Sequence, residues 1–152
     1  MDTRFYHFLR ETNIICELSA EKGPDAIRQL SRQLALNTSG INEKEIFDAV
    51  IARENILSTV VMPGLAVPHA RMENVKGILV ALGTSVKGID FNSPRMPPVN
   101  VVIMILTPKS DPSLHFQILY ALAKDFKKPE TTQSILGLKT PKEILKFFLE
   151  LD

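Results

Sequence analysis

Hydrophobic positions in the first third of the chain recur with helical spacing. After Gly23-Pro24 the apolar residues return every three to four positions, which predicts an amphipathic helix ending at the turn-forming run 37–40. A second helical pattern follows Asn42, whose Asn-x-x-Glu start is typical of a capping box. This helix should end near Arg53-Glu54. Its predicted core face is Ile46, Phe47, Val50 and Ile51.

Three further helices are predicted in the C-terminal third. Asp111 is a suitable N-cap, and Pro112 follows it at the first helical position. A shorter helix should run from Pro129 to about Leu136. The last helix should start at Thr140, where a capping box and a proline occur together.

Strand-like runs alternate with these helices. The most hydrophobic run ends at a Thr-Pro pair and is rich in β-branched residues, as expected of a central strand covered on both faces. A short helical turn is expected at 5–9 and a proline-rich loop at 92–98. The predicted strands are 13–18, 75–85, a short or edge strand at 88–91, and 99–106. The pattern predicts one α/β domain over residues 1–152, with a mixed, mainly buried sheet between helices on both faces.

Composition narrows the possible functions. The 152 residues include 18 basic and 17 acidic side chains, so there is no basic excess to suggest nucleic-acid binding. A single cysteine excludes an intramolecular disulfide and a cysteine metal cluster. The beginning of the chain has no signal-peptide pattern, and no apolar run approaches the length of a membrane helix. We therefore expect a cytoplasmic protein that is not inserted into a membrane and has no metal or cofactor.

The segment 62–71 contains the most interesting histidine. His69 follows Pro68, which restricts the backbone, and Gly64 upstream permits a sharp turn or a close approach of another group. A neutral imidazole is a competent nucleophile near neutral pH. From the local sequence alone His69 is equally compatible with an ordinary histidine in a turn. The glycine-rich phosphate loop, the dinucleotide fingerprint and the Gly-x-Ser-x-Gly motif are absent.

Other residues could support such a histidine. His115 falls on the inward face of a predicted helix, where core packing is the usual role, but the positive helix end would keep its ring neutral or attract an anion. Arg53 lies at the predicted end of a helix, where its positive charge matches the negative end of the helix dipole. Its planar guanidinium group is also well suited to bind phosphate oxygens. Ser58 and Thr59 offer hydroxyl donors, or they are simply residues at a strand edge.

Taken together, these motifs resemble the type-2 enzyme IIA domains of the bacterial phosphoenolpyruvate-dependent phosphotransferase system, the fructose, mannitol and nitrogen-regulatory group. The resemblance extends over nearly the whole chain. It rests on Arg53-Glu54, Ser58-Thr59, the run 64–69, the Gly-Ile-Asp-Phe run 88–91, Pro98-Val99 and His115-x-x-x-Leu119, in that order.

The resemblance implies a phosphoryl relay. Its phosphorylated histidine corresponds to His69, which would accept a phosphoryl group from the carrier HPr or a paralogue and pass it to an enzyme IIB protein or use it as a signal. Arg53 and His115 would support the transfer, with Ser58 and Thr59 assisting at the phosphate. The apolar residues around the site, Met62, Leu65 and Val67, would form the docking patch for a partner.

One segment departs from the family pattern. Many members have a Gly-Ile-Gly-like run where this chain has Val60-Val61-Met62-Pro63. The Pro-His-Ala-Arg sequence at 68–71 also resembles that of enzyme IIA-like domains attached to ion transporters. An alternative function is therefore an interaction module that regulates an ion transporter or a kinase rather than a transport relay.

Overall fold

The structure, a computed structural model, describes residues 2–151 and contains a mixed α/β arrangement. A single 3₁₀ turn at Phe5–His7 precedes the first strand. The strands are β1 (Leu9–Ile15), β2 (Val60–Met62), β3 (Leu65–Ala66), β4 (His69–Met72), β5 (Leu79–Ile89) and β6 (Val99–Pro108). The helices are α1 (Gly23–Leu36), α2 (Glu43–Glu54), α3 (Pro112–Asp125), α4 (Pro129–Leu136) and α5 (Pro141–Leu149).

The six strands form one sheet in which β6 is the organising strand. The order is β1-β5-β6-β3-β2, and β4 also pairs with β6, further along its length than β3 does. The β5–β6 and β2–β3 pairs are antiparallel, whereas β1 is parallel to β5, and both β3 and β4 are parallel to β6. The predicted mixed sheet is confirmed.

Side chains of β6 alternate between two hydrophobic cores. Val102, Met104 and Leu106 pack with the buried faces of α1 and α2. Val101, Ile103 and Ile105 pack on the opposite face with buried residues of α3, α4 and α5. Because both faces of the strand are covered, the sequence of β6 is almost continuously apolar. The prediction of helices on both sides of the sheet is confirmed.

The predicted helix starts are confirmed by their caps. The side-chain oxygen of Asn42 accepts the N–H of Glu45 at 2.8 Å, and that of Asp111 accepts the N–H of Leu114 at 3.1 Å. Thr140 caps α5 in the same way, through the N–H of Glu143 at 3.2 Å. No helix within residues 2–151 combines the length and the apolar character needed to cross a membrane.

Several strand predictions need correction. The first strand begins at Leu9 rather than at residue 13, because three successive exposed residues, 10–12, conceal the usual alternation. The separate strand predicted at 88–91 is wrong: Ile89 is the last residue of β5, after an irregularity in its pairing with β6. The strands β2, β3 and β4 were not predicted, since two to four residues are too few to display a period.

Gly64 turns the chain between β2 and β3 in the left-handed region, at φ 85°. Its carbonyl oxygen accepts the N–H groups of Asn100 and Val101 at 2.8 and 3.0 Å. Since a Cβ is disfavoured at this φ, Gly64→Ala should lower the free energy of unfolding by about 1–2 kcal/mol in urea denaturation. Gly77 has open space and an ordinary φ, so Gly77→Ala is the matched control. Equal effects of the two substitutions would contradict this account of the turn.

Candidate functional site

His69 is the first residue of β4, and the sheet fixes its backbone. It pairs with Ile105 of β6, whose N–H donates to the carbonyl oxygen of Pro68 at 3.0 Å. The ring is half-buried, with Nδ1 2.7 Å from the carbonyl oxygen of Val67. A carbonyl oxygen only accepts hydrogen bonds, so this contact assigns the proton of the neutral ring to Nδ1. The lone pair is then on Nε2.

The environment keeps the His69 ring neutral at pH 7. Burial lowers the pKa of His69 below its ordinary value of 6.5, and the nearby Arg53 charge lowers it further. The hydrogen bond to Val67 and the carboxylate of Glu54 oppose this shift without reversing it. A neutral imidazole with a bare Nε2 can act as a nucleophile.

His115 lies beside His69, with 5.1 Å between the two ring centroids. It is only 6% exposed, and its Nδ1 lies 2.6 Å from Oγ1 of Thr107 at the end of β6. Burial lowers its pKa to about 4, and the positive charge that His69 carries when protonated and the charges of Arg71 and Arg53 contribute in the same direction. His115 is therefore a neutral hydrogen-bonding group at physiological pH.

Arg53 approaches the histidines from the last turn of α2. Its Nη1 donates to the carbonyl oxygen of Leu57 at 2.9 Å, which folds the side chain back over the following turn. This bond uses one of the five N–H donors of a guanidinium group. Arg53, His69 and His115 line one cavity of about 650 Å³. The structure thus brings together the three principal residues predicted from the sequence.

The two predicted hydroxyl residues lie on another side of His69. Ser58 and Thr59 line a smaller cavity of about 220 Å³ that also includes Arg53 and His69. The Thr59 side chain is buried, and its hydroxyl donates to Oε1 of Glu54 at 2.5 Å. A role for these hydroxyls at the phosphate stays a prediction.

The predicted docking patch needs correction. Leu65 is fully buried and Val67 is 3% exposed, because both side chains belong to the core beneath α3. Neither presents a surface to a partner in this structure. Met62 is half-buried and packs against the same core.

Sequence reasoning missed several residues at the site. Arg71 and Lys109 line the larger cavity and add positive charge to it. Thr107 bonds His115, and Glu54 bonds Thr59. Glu54 beside Arg53 and Arg71 two positions after His69 were signals available in the sequence. Thr107 and Lys109 come near this segment only through the pairing of β4 with β6. Within residues 2–151 no group of three histidine, cysteine, aspartate or glutamate side chains could hold a metal ion.

The lowered pKa of His115 predicts a loss of stability in acid. Between the folded pKa of about 4 and the unfolded value of 6.5, the unfolded chain binds more protons, so the free energy of unfolding rises with pH in this interval. The stabilisation is complete above about pH 6.5, and up to roughly 3 kcal/mol is lost as the pH falls towards 4.

Urea unfolding near pH 7.5 and near pH 4.5 measures this dependence. His115→Asn keeps a polar group beside Thr107 but does not titrate, so its stability should change less between the two conditions than that of the wild type. An equal pH dependence in both proteins would contradict the assignment.

Comparisons with known proteins agree with the fold and cover nearly the whole chain. The family model described as "Phosphoenolpyruvate-dependent sugar phosphotransferase system, EIIA 2" matches residues 7–151. The chain is 28% identical over 119 residues to the PTS system fructose-specific EIIA component of Haloferax volcanii, covering 78% of this chain and 77% of that protein.

Two solved structures share the fold. The nitrogen regulatory protein IIA-Ntr of Neisseria meningitidis has a TM-score of 0.86 and 22% identity, covering 94% of this chain and 97% of that one. Enzyme IIA mannitol of Escherichia coli, solved in complex with phosphorylated enzyme IIB mannitol, has a TM-score of 0.79 and 21% identity, covering 93% and 97%.

The architecture is therefore that of the enzyme IIA proteins. The chain belongs to the EIIA type 2 family of the phosphoenolpyruvate-dependent sugar phosphotransferase system, whose domains act as phosphoryl carriers. The resemblance recognised from the sequence is confirmed. The non-transport regulatory module, given above as the alternative, is not favoured by these comparisons.

Proposed function

We propose that His69 accepts a phosphoryl group on Nε2 from an HPr-type phosphohistidine carrier. The observation that carries this assignment is the hydrogen bond between Nδ1 of His69 and the carbonyl oxygen of Val67, in a cavity shared with Arg53 and His115. The phosphoryl group then moves to an enzyme IIB protein or remains as a regulatory signal of the nitrogen-regulatory kind.

The transfer depends mainly on how the two imidazole rings and the phosphoryl group are positioned, because the phosphoryl group passes directly from one ring to the other. The Nε2 lone pair of His69 forms a new N–P bond as the N–P bond of the donor breaks, and the electron pair of that bond returns to the donor imidazole. The transferring group has three equatorial oxygens with negative charge. Arg53 neutralises them through charge-assisted hydrogen bonds, while Arg71 and Lys109 supply a positive field around the cavity.

His115 contributes a neutral N–H group. Its hydrogen bond with Thr107 occupies Nδ1. When the hydroxyl of Thr107 donates this bond, the proton of the neutral His115 ring is on Nε2 and is available to a phosphoryl oxygen. A neutral donor stabilises the phosphorylated state without adding another buried cation beside Arg53.

A corrected docking surface surrounds the site. It consists of large apolar side chains that are 52–80% exposed, and we call it the apolar rim: Ile56, Leu57, Val61, Phe116 and Tyr120. Ile56 and Phe116 line the larger cavity, and Leu57 and Val61 line the smaller one. An exposed apolar patch bordered by charge is typical of a protein–protein interface. We propose that the HPr-type donor and the enzyme IIB acceptor dock on this rim in turn.

The apolar rim predicts a specific effect on docking. Phe116→Ser should raise the concentration of HPr needed for half-maximal phosphorylation by about tenfold, since an exposed aromatic anchor is lost. The matched control is Leu36→Ser, because Leu36 is 70% exposed at the end of α1 and lines neither cavity. Initial rates measured over a range of HPr concentrations give the comparison. An unchanged half-maximal concentration for Phe116→Ser would contradict the proposed surface.

The test of the proposed function is reconstitution of the relay. Incubation with phosphoenolpyruvate, enzyme I and HPr should add one acid-labile phosphoryl group per chain, detected by intact mass. Omission of HPr should prevent this addition. Subsequent transfer to the cysteine of an enzyme IIB protein identifies a transport relay, whereas stable phosphorylation without transfer to any tested enzyme IIB identifies a regulatory signal. Failure of the wild-type chain to become phosphorylated would overturn the proposal.

A further inference from the structure

A series of hydrogen bonds connects the end of α2 to the ring of His69. The carboxylate of Glu54 accepts two bonds from Thr59, one from its N–H at 2.9 Å and one from its hydroxyl at 2.5 Å. The carbonyl oxygen of Thr59 accepts the N–H of Val67 at 2.9 Å. The carbonyl oxygen of Val67 is the group that bonds Nδ1 of His69.

This series supports one side of the segment that carries His69. On the other side, β6 pairs with Leu65 and Ala66 and again with His69, so the sheet fixes the ends of the segment. Val67 lies between these pairs and directs its N–H towards Thr59 instead. The position of the Val67 backbone, and with it the direction of its carbonyl group, therefore depends on where Thr59 is held.

The contacts of Glu54 exceed those expected of a surface acid. Both carboxylate oxygens are used, and both bonds go to the same residue, which is buried. A bidentate contact of this kind restricts position and orientation together. The support is mechanical rather than electronic, because the N–H and the C=O of Thr59 belong to different peptide groups.

We propose that Glu54 and Thr59 are positioning residues, acting as a clamp that sets the proton of His69 on Nδ1 and so leaves Nε2 as the nucleophile. Without the clamp the Val67 carbonyl can move out of line with Nδ1, and the ring loses the contact that selects its tautomer. The consequence for phosphoryl transfer rests on the function proposed above, whereas the tautomer does not.

The experiment compares three variants with the wild type and with one matched control. Thr59→Val removes the hydroxyl but keeps the shape and the N–H, and Thr59→Ser keeps the hydroxyl. Glu54→Gln removes the charge but can keep both contacts, with its carbonyl oxygen accepting the N–H and its amide donating to the hydroxyl oxygen. The control is Thr140→Val, because Thr140 donates to Glu143 at 2.9 Å in a second threonine–glutamate pair, at the start of α5.

Two readouts are needed. The ¹⁵N chemical shifts of the His69 ring, recorded above its pKa, identify the protonated nitrogen without any phosphoryl donor. The rate of phosphorylation by phospho-HPr measures the consequence. We expect Thr59→Val to mix the two tautomers and to slow phosphorylation by about tenfold. Thr59→Ser and Glu54→Gln should keep the wild-type tautomer, and Thr140→Val should lose stability without changing either readout.

The outcomes are distinguishable. Retention of the wild-type His69 tautomer in Thr59→Val would overturn the proposed clamp. A tautomer change in Thr140→Val as large as that in Thr59→Val would overturn it as well. Loss of the Nδ1 proton in Glu54→Gln with retention in Thr59→Val would assign the effect to charge and also overturn the proposal. Absence of phosphate on the wild-type chain would instead overturn the proposed function, and the tautomer measurement would still decide on the clamp.

Discussion

His69→Gln should take up no detectable phosphoryl group from phospho-HPr. The substitution removes the ring nitrogen that forms the N–P bond, while glutamine remains polar at a half-buried position. His115→Gln should still be phosphorylated, but more slowly, because in the proposed function His115 assists the transfer without receiving the group. Intact mass spectrometry over time measures both.

The remaining histidine is the control for this prediction. His7 lies in the 3₁₀ turn at the N-terminus and lines neither cavity at the site, so His7→Gln should behave as the wild type. Phosphorylation of His69→Gln at the wild-type rate would show that another residue is the acceptor. If His115→Gln kept its fold but took up no phosphoryl group at all, the His115 ring would have to be essential for the transfer and not only assist it.

Arg53→Ala should slow phosphorylation by about 10²–10³-fold. The guanidinium lines the cavity that contains His69, and we propose that it binds the equatorial oxygens. Removal of one well-positioned donor to a developing charge has an effect of this size. Arg53→Lys should recover only part of the rate, because an ammonium group keeps the charge but not the planar fork. Single-turnover kinetics with phospho-HPr separates this effect from docking.

An arginine outside the site provides the control. Arg32 is exposed on α1, so Arg32→Ala should leave the rate unchanged. A wild-type rate in Arg53→Ala would remove Arg53 from the mechanism. A wild-type rate in Arg53→Lys would mean that charge alone is sufficient.

Much of the fold was predictable because long elements display their period. The continuous apolar run of β6 indicates a strand covered on both faces, and the structure confirms it. The start of each capped helix was predictable for a local reason, since the cap and the residue it bonds are three positions apart. These signals do not depend on distant parts of the chain.

The docking residues were not predictable in the same way. Leu65 and Val67 are apolar and adjacent to His69, and the sequence does not tell whether such a residue faces a partner or the core. Tertiary structure decides the matter: Leu65 pairs with β6, Val67 follows directly after β3, and both side chains belong to the core that also contains the buried residues of α3. Phe116 of the rim could not be placed in the same cavity as His69 before α3 was positioned against the sheet.

The electrostatic details of the site also depend on tertiary structure. His115 could be placed on an inward helix face from its spacing, but its contact with Thr107 requires the end of β6 beside the start of α3. The bond between His69 and Val67 is local in sequence, yet it needs the backbone geometry set by the strand pairings on both sides of Pro68.

The position of the phosphoryl group tests the central claim most directly. Protein labelled with ¹⁵N and phosphorylated through HPr can be studied by ³¹P and ¹⁵N NMR, which identify the modified residue and the nitrogen bonded to phosphorus. The geometry predicts phosphate on Nε2 of His69, with the proton retained on Nδ1. Phosphate on Nδ1 of His69, or on His115, would contradict it.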